Sequence, residues 1–416
     1  MSSGGPSKLD ASAIRRVRGG AGGLEPPADV VDGAARGSTS GTVSFGDLHD
    51  RWIGEWLGPN PMPPEADSTC SDCVMRPEGE PEPGRVYFDA VTRCCTFVPI
   101  VPNFLAGAAL LDTTPEAAEG RQTVLARIAR RRAVSPLGLE RTLGFSLKYR
   151  HTVDAFGRKG SLRCPHHLDD GRCGIWRHRE STCSTWFCKP AKGTRSLALW
   201  RAVQSFFGVI ERQLAFWCVR RVGLANESVT EAFLGGNHPL WTRTSTYSTH
   251  LFGSQLDGPR KSSDPLGMST RSEHRELWGE WDGREGEFYE RCAELASALS
   301  FNDLRRIAGD ELSAEMKKVE AALAAIRGDA VPPDGLCGAE LDLIQLRRRP
   351  EGEWALLSPY RSYDPFEVPK ELLEALGEFD GRPTEAVLDE LVAQRGLSID
   401  PVLLRRLLDF GFLLPR

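Results

Sequence analysis

The apolar positions of the chain fall into a few regular patterns. Over 195–222, Leu199, Val203, Phe206, Phe207, Ile210, Leu214 and Trp217 recur at helical spacing. A stripe this wide buries one face of a long helix, and core packing accounts for its aromatics without a cofactor. Trp52, Ile53, Trp56 and Leu57 mark a short amphipathic helix over 47–58. Val124, Leu125, Ile128 and Ala129 mark another over 121–133. Residues 284–327 read as two helices, 284–309 and 311–327. The most apolar run, 97–111, is about 15 residues long and holds Pro99 and Pro102. It is too short and too interrupted to span a bilayer, and predicts a buried strand or loop leading into a helix.

The last stretch has a different rhythm. Residues 341–359 predict a hairpin turning at Pro350–Gly352, followed by helices over 369–379, 383–396 and 400–411. Thr384 and Asp400 stand at N-cap positions, with Pro383 and Pro401 near first turns. This is the pattern of a small winged-helix-like domain. Residues 1–43 are rich in Gly, Ser, Pro and Ala, the composition of a disordered tail. Residues 235–283 are loop-rich; His238, His250 and His274 read as surface or core histidines there.

Four segments result: a tail over 1–43, a cysteine-rich domain over 44–230, a loop-rich and helical extension over 231–330, and a winged-helix-like domain over 334–416. The expected fold class is mainly α with small β elements, including an irregular metal-stapled cysteine domain and a helical middle region.

Composition narrows the function. The 416 residues carry a net charge of −5, so nothing global draws the chain to nucleic acid or a membrane. The N-terminal stretch lacks the apolar run of a secretory signal, and the expected compartment is the cytoplasm. Thiols stay reduced there, and clustered cysteines more often bind metal than pair.

Eight of the 11 cysteines cluster. Cys70, Cys73, Cys94 and Cys95 read C-x2-C, a 20-residue gap, then C-C. Cys164, Cys173, Cys183 and Cys188 read C-x8-C-x9-C-x4-C. The gap after Cys73 holds a Glu/Pro/Gly turn and a strand-like arm over 85–91, a hairpin-like excursion that would return Cys94 and Cys95 to the first pair. Adjacent side chains on an extended chain point apart, so Cys94 and Cys95 reach one metal only where the backbone turns. Cysteine-only ligation suits structural zinc or a 4Fe–4S cluster, and these spacings choose neither. His166, His167 and His178 lie among the cysteines as substitute ligands. Cys218, Cys292 and Cys337 read as small core residues. From Arg121 to Arg163 there are 11 Lys/Arg against only Glu140 and Asp154, a basic surround for thiolates or a solvated helix face. No G-x-S-x-G, P-loop or H-E-x-x-H is present.

The segment holding Cys164, "DDGRC", Ile175, Trp176, Arg179, Cys183 and Cys188 resembles the second half of the YkgJ-type cysteine-cluster family, which chelates zinc or iron. Trp176 stands where that family has Tyr, Arg179 matches its Arg, and Glu180 replaces its Pro. Cys70, Cys73, Cys94 and Cys95 match its CxxCxxCC motif with 20 residues in place of two. The resemblance covers about residues 70–190. It implies metal binding, with Arg179 beside the cofactor, and a protein-modifying activity of the lysine-N-methylase kind; no residue here carries that activity. More weakly, 356–413 is similar to PqqD-like winged helices, which bind a peptide at a sheet edge. Residues 334–416 hold 16 acidic against 10 basic residues, which favours a peptide or protein partner over a phosphate backbone. The expected function is therefore a cysteine-cluster metalloprotein, iron–sulfur in type, acting on or with a peptide or protein. The alternative is a zinc-stabilised adaptor or a metal-handling or redox protein.

Overall fold

The computed structural model describes residues 7–16, 43–65, 73–77, 81, 85–224, 271–328 and 335–416. About 53% is helix and 13% strand, so the chain is mainly α with small β elements. No described helix is long and apolar enough to cross a membrane.

A first core is built around the helix Gly193–Arg221. Its predicted stripe is inside: Leu199, Val203, Phe206, Phe207, Ile210 and Leu214 are all buried. The helix Phe301–Arg327 packs along it, and the helices Asn103–Leu111 and Glu285–Ser297 pack on each other beside it. Gly107 makes that second contact close, because a Cβ there would sit 1.8 Å from the Tyr289 carbonyl oxygen. Buried Asn103 ties the layers together, donating from Nδ2 to the Pro136 and Ala215 carbonyls at 2.9 Å each. The apolar run behaves as expected, with a two-residue strand, Val101–Pro102, leading into the helix.

Two expectations about segments are corrected. Phe104, Phe207, Trp278, Phe288 and Ile326 share this one core, so the described residues between 44 and 224 pack as one unit with 271–328, where the pattern reads a domain and an extension. The helix break also moves. It falls at 298–300, where Ser300 and Asp303 form a reciprocal capping box, and Gly309 is a kink inside the following helix (φ 60°).

The second core belongs to residues 336–413 together with Ala13 and Ile14. Its antiparallel sheet has the order Arg15–Arg16, Phe366–Pro369, Gly352–Ser358, Asp342–Arg349. Leu336–Gly338 pairs with Leu413–Pro415. The helices Lys370–Leu376, Thr384–Arg395 and Pro401–Asp409 pack on this framework. Asp400 caps the last of them, accepting from Leu403 N at 2.6 Å. Thr384 is the first helical residue rather than the cap. The predicted tail is corrected too: residues 7–16 are folded into this core, and 17–42 lie outside the described residues.

Candidate metal centre

Two loops meet at the cysteines. In the first, Cys73 opens a turn and Phe88 N donates to the Met75 carbonyl at 2.9 Å, so the excursion does return on itself. No strand forms over 85–91, because this single backbone bond replaces a ladder. Cys70 lies outside the described residues. Asp89 then winds residues 90–96 into consecutive turns. Its Oδ1 accepts from Val91 N at 3.0 Å and Thr92 N at 2.7 Å. The Thr92 amide holds its carboxyl below the usual range, against the opposing effect of burial. Cys95 N donates to Thr92 O, and Phe97 N to Cys94 O. The backbone therefore turns at Cys94–Cys95, which is the condition for adjacent thiols to serve one centre.

The second loop doubles back at Asp169–Gly171, where Gly171 has φ 87°. Leu168 N bonds Arg172 O and Gly174 N bonds His166 O, at 2.9 and 2.8 Å. Gly174 lies so close to the helix Ala118–Ala129 that a Cβ on Gly120 would fall 1.7 Å from its carbonyl oxygen. One bond joins the loops directly: Cys164 N donates to Cys95 O at 2.7 Å. Arg93, held at φ 52°, adds a second from Nη1 to Gly171 O at 2.9 Å.

Cys183 sits on the short helix Ser181–Ser184. Glu180 caps it, accepting from Thr182 N and Cys183 N at 2.6 and 2.9 Å. Glu211, on the long helix, accepts from Ser181 N and Oγ. His49 Nε2 lies 3.3 Å from the same carboxylate and its ring packs on Phe207. Burial first, then Glu211, pushes the Glu180 carboxyl up. Arg179 donates to the Trp176, Cys183 and Ser44 carbonyls and stacks 3.4 Å over the Trp176 ring. It holds the Cys183 loop to the N-terminal part of the core.

Three of the thiols feel each other. Burial raises Cys164 to about 12, with Cys173 adding to the effect. Cys183 is raised well above the usual thiol value by burial, then Glu180, Cys164 and Cys173. Cys188 faces the C-terminal module, where its charge acts on half-buried Tyr363. None of the described cysteines is in a disulfide; Cys218 and Cys292 are buried in the first core, as expected, and Cys337 is half-buried on the strand Leu336–Gly338.

Opposite Cys164 stands Arg127, only 5% exposed. It donates to the Arg132, Ala133 and Glu140 carbonyls and to His166 Nε2. Burial lowers it to about 10, and Cys164 opposes that shift. Thr123 Oγ1 donates to Gly120 O, so it accepts from His166 Nδ1, leaving Nε2 to accept from Arg127. His166 is thus a fixed neutral tautomer whose lone pair is used; burial and then Arg127 lower it to about 3. His167 Nδ1 accepts from Arg163 Nε at 3.1 Å. His178 Nε2 is 2.9 Å from Asp112 Oδ2. These protein partners occupy a ring nitrogen of each of the three histidines proposed as substitute ligands.

A closed zinc site has a defined ligand spacing. A tetrahedral zinc site with Zn–S bonds near 2.3 Å sets its sulfurs about 3.8 Å apart. Among the described residues, three donor atoms come within 4.8 Å of one another only at His274, Asp282 and Glu285. No three sulfurs of the described cysteines come that close together. A four-iron cubane takes one thiolate per corner and holds its ligands farther apart. In the His274 group, His274 Nε2 is hydrogen-bonded to Glu285 Oε1 at 2.6 Å, and Arg131 and Arg275 lie 3.7 and 3.5 Å from Asp282, whose buried Oδ1 accepts no hydrogen bond. The other two histidines of that region lie outside the described residues.

The residues that pattern reading missed are Arg127, Thr123, Glu211 and His49. Glu211 had a signal, a carboxylate on an otherwise apolar helix face. No family model matches the chain, and neither curated proteins nor solved structures give a match.

Proposed function

We propose that the chain is a cysteine-cluster metalloprotein of the iron–sulfur type that acts on or with a peptide or protein. Cys94, Cys95, Cys164, Cys173 and Cys183 are the inner ligand candidates; Cys70, Cys73 and Cys188 complete the proposed set. The observation carrying this is the Cys164 N to Cys95 O bond, which joins two cysteine loops far apart in sequence. When bound, a 4Fe–4S cluster supplies electron transfer or Lewis acidity at an open corner. The protein's own part is the scaffold: Asp89 and Glu180 wind the ligand loops, Arg179 pins one, and Arg127 offsets thiolate charge from inside the core. Arg179 remains a candidate for contact with the bound group through its place beside Cys183. The acidic, winged-helix-like C-terminal module is the proposed peptide-binding part.

Anaerobic purification tests this reading. The expected protein is brown, with iron, acid-labile sulfide and a visible charge-transfer band, all lost in Cys164→Ser and Cys183→Ser. Colourless protein with stoichiometric zinc overturns the cluster in favour of a zinc-stabilised adaptor; metal-free protein overturns both.

A further inference from the structure

Residues 7–16 contact the C-terminal module in three ways. Ser7–Leu9 runs parallel to Leu397–Ile399, and Arg15–Arg16 runs antiparallel to Phe366–Glu367 as the outermost strand of the sheet. Ile14, at 0% exposure, anchors the segment in the apolar core. Arg15 reaches Glu351 at 3.2 Å and stacks 4.1 Å over Trp354. Between the strands, Asp10 closes a turn by accepting from Ser12 N at 2.7 Å.

A sheet edge reads an extended peptide in this manner: the backbone ladder supplies affinity, while one buried anchor and one charge pair supply specificity. The segment comes from far away in sequence, with Arg15 and Glu351 336 residues apart. Without it, Phe366–Pro369 pairs on one side only, with Gly352–Ser358. The cleft flanking it is lined by Glu351, Glu353 and Glu371 with Arg15 and Lys370; Lys370 pairs with Glu353, and Glu351 takes the basic residue after the anchor, Arg15.

We infer that residues 7–16 are a tethered occupant of the module's peptide edge. The partner taken there in trans is an extended peptide of the same chemistry: a small residue, a β-branched aliphatic anchor, then a basic residue. This rests on the peptide-partner reading above and adds what fills the edge at rest and what a competitor resembles. Covalent tethering gives the resident segment an effective concentration near the millimolar range, so a free peptide binds only when the segment yields.

The test uses the full chain with a protease site inserted between residues 17 and 42, and a fluorescent peptide of residues 7–16 as probe. Uncut protein should bind the probe weakly; cutting and washing should tighten binding at least about tenfold. An Ile14→Asp probe should bind neither form. Equal binding before and after cutting overturns the inference. So does a cut fragment that stays bound for hours without exchanging with probe, since it is then an integral strand. Circular dichroism confirms that the cut protein stays folded. As a separate control on the edge, the cut and washed protein is offered an unrelated extended peptide. Binding of that peptide but not of the 7–16 probe overturns only the inference; binding of neither overturns the peptide-partner reading as well.

Discussion

Arg127 and Asp112 show how single charges are handled inside this protein. Arg127 has no carboxylate partner among the described residues; carbonyls and His166 take its hydrogen bonds. Arg127→Ala strands those acceptors and should cost on the order of 3 kcal/mol, read from the urea midpoint. It should also reduce retained metal, because the thiolates lose their buried counter-charge. Asp112 sits at about 2: burial raises it, but hydrogen bonds from Thr114 and His178 prevail. Its folded value lies below its unfolded one. The stabilisation is therefore complete above about pH 4 and is lost as pH falls toward 2. Asp112→Asn should flatten the acid limb of a melting-temperature profile over that window. At this scale the sequence made the cysteines and the "DDGR" turn visible, because both are local patterns. Glu211 shows only as a carboxylate on an apolar helix face, with its partner Ser181 30 residues away, and Arg127 is not legible because a turn, not a pattern, brings the Arg132, Ala133 and Glu140 carbonyls to it.

Helices and loops were read from periodicity with uneven success. The long helix carries its evidence in its own stripe. The break at 298–300 was missed because apolar spacing continues across it, and only the Ser300–Asp303 box marks the restart. Gly309 was taken as a terminator, yet space around it lets a kinked helix run on. Close approaches leave no periodic trace at all. Gly107→Ala would drive a Cβ into the Tyr289 carbonyl and separate two core helices; a loss of about 2–3 kcal/mol is expected in thermal unfolding. Gly120→Ala would push the Cys173 loop away from its supporting helix. Its expected signature is weaker metal retention with little change in helical content by circular dichroism.

The two cores meet through a small polar and aromatic seam. Arg195 pairs with Asp409 at 2.7 Å, and Gly193, at φ 48°, lies where any Cβ would strike Phe410. Arg361 donates to Phe187 O, next to Cys188, and Tyr363 packs near Phe88 and Trp186. The module is thus seated against the cysteine loops. Arg195→Ala leaves Asp409 short of its main cation, and one cooperative melt should split into two calorimetric transitions.

Residues 7–16 also set a clock on biosynthesis. Their partners at 366–367 and 397–399 are made roughly 350–390 residues later, and translation runs at about 5–20 residues per second. The first strand of the sheet thus stays without its neighbours for roughly 20–80 seconds at those rates. During that interval Ile14 is an exposed anchor on a growing chain, and the second core can close only once residues 366–399 have been synthesised.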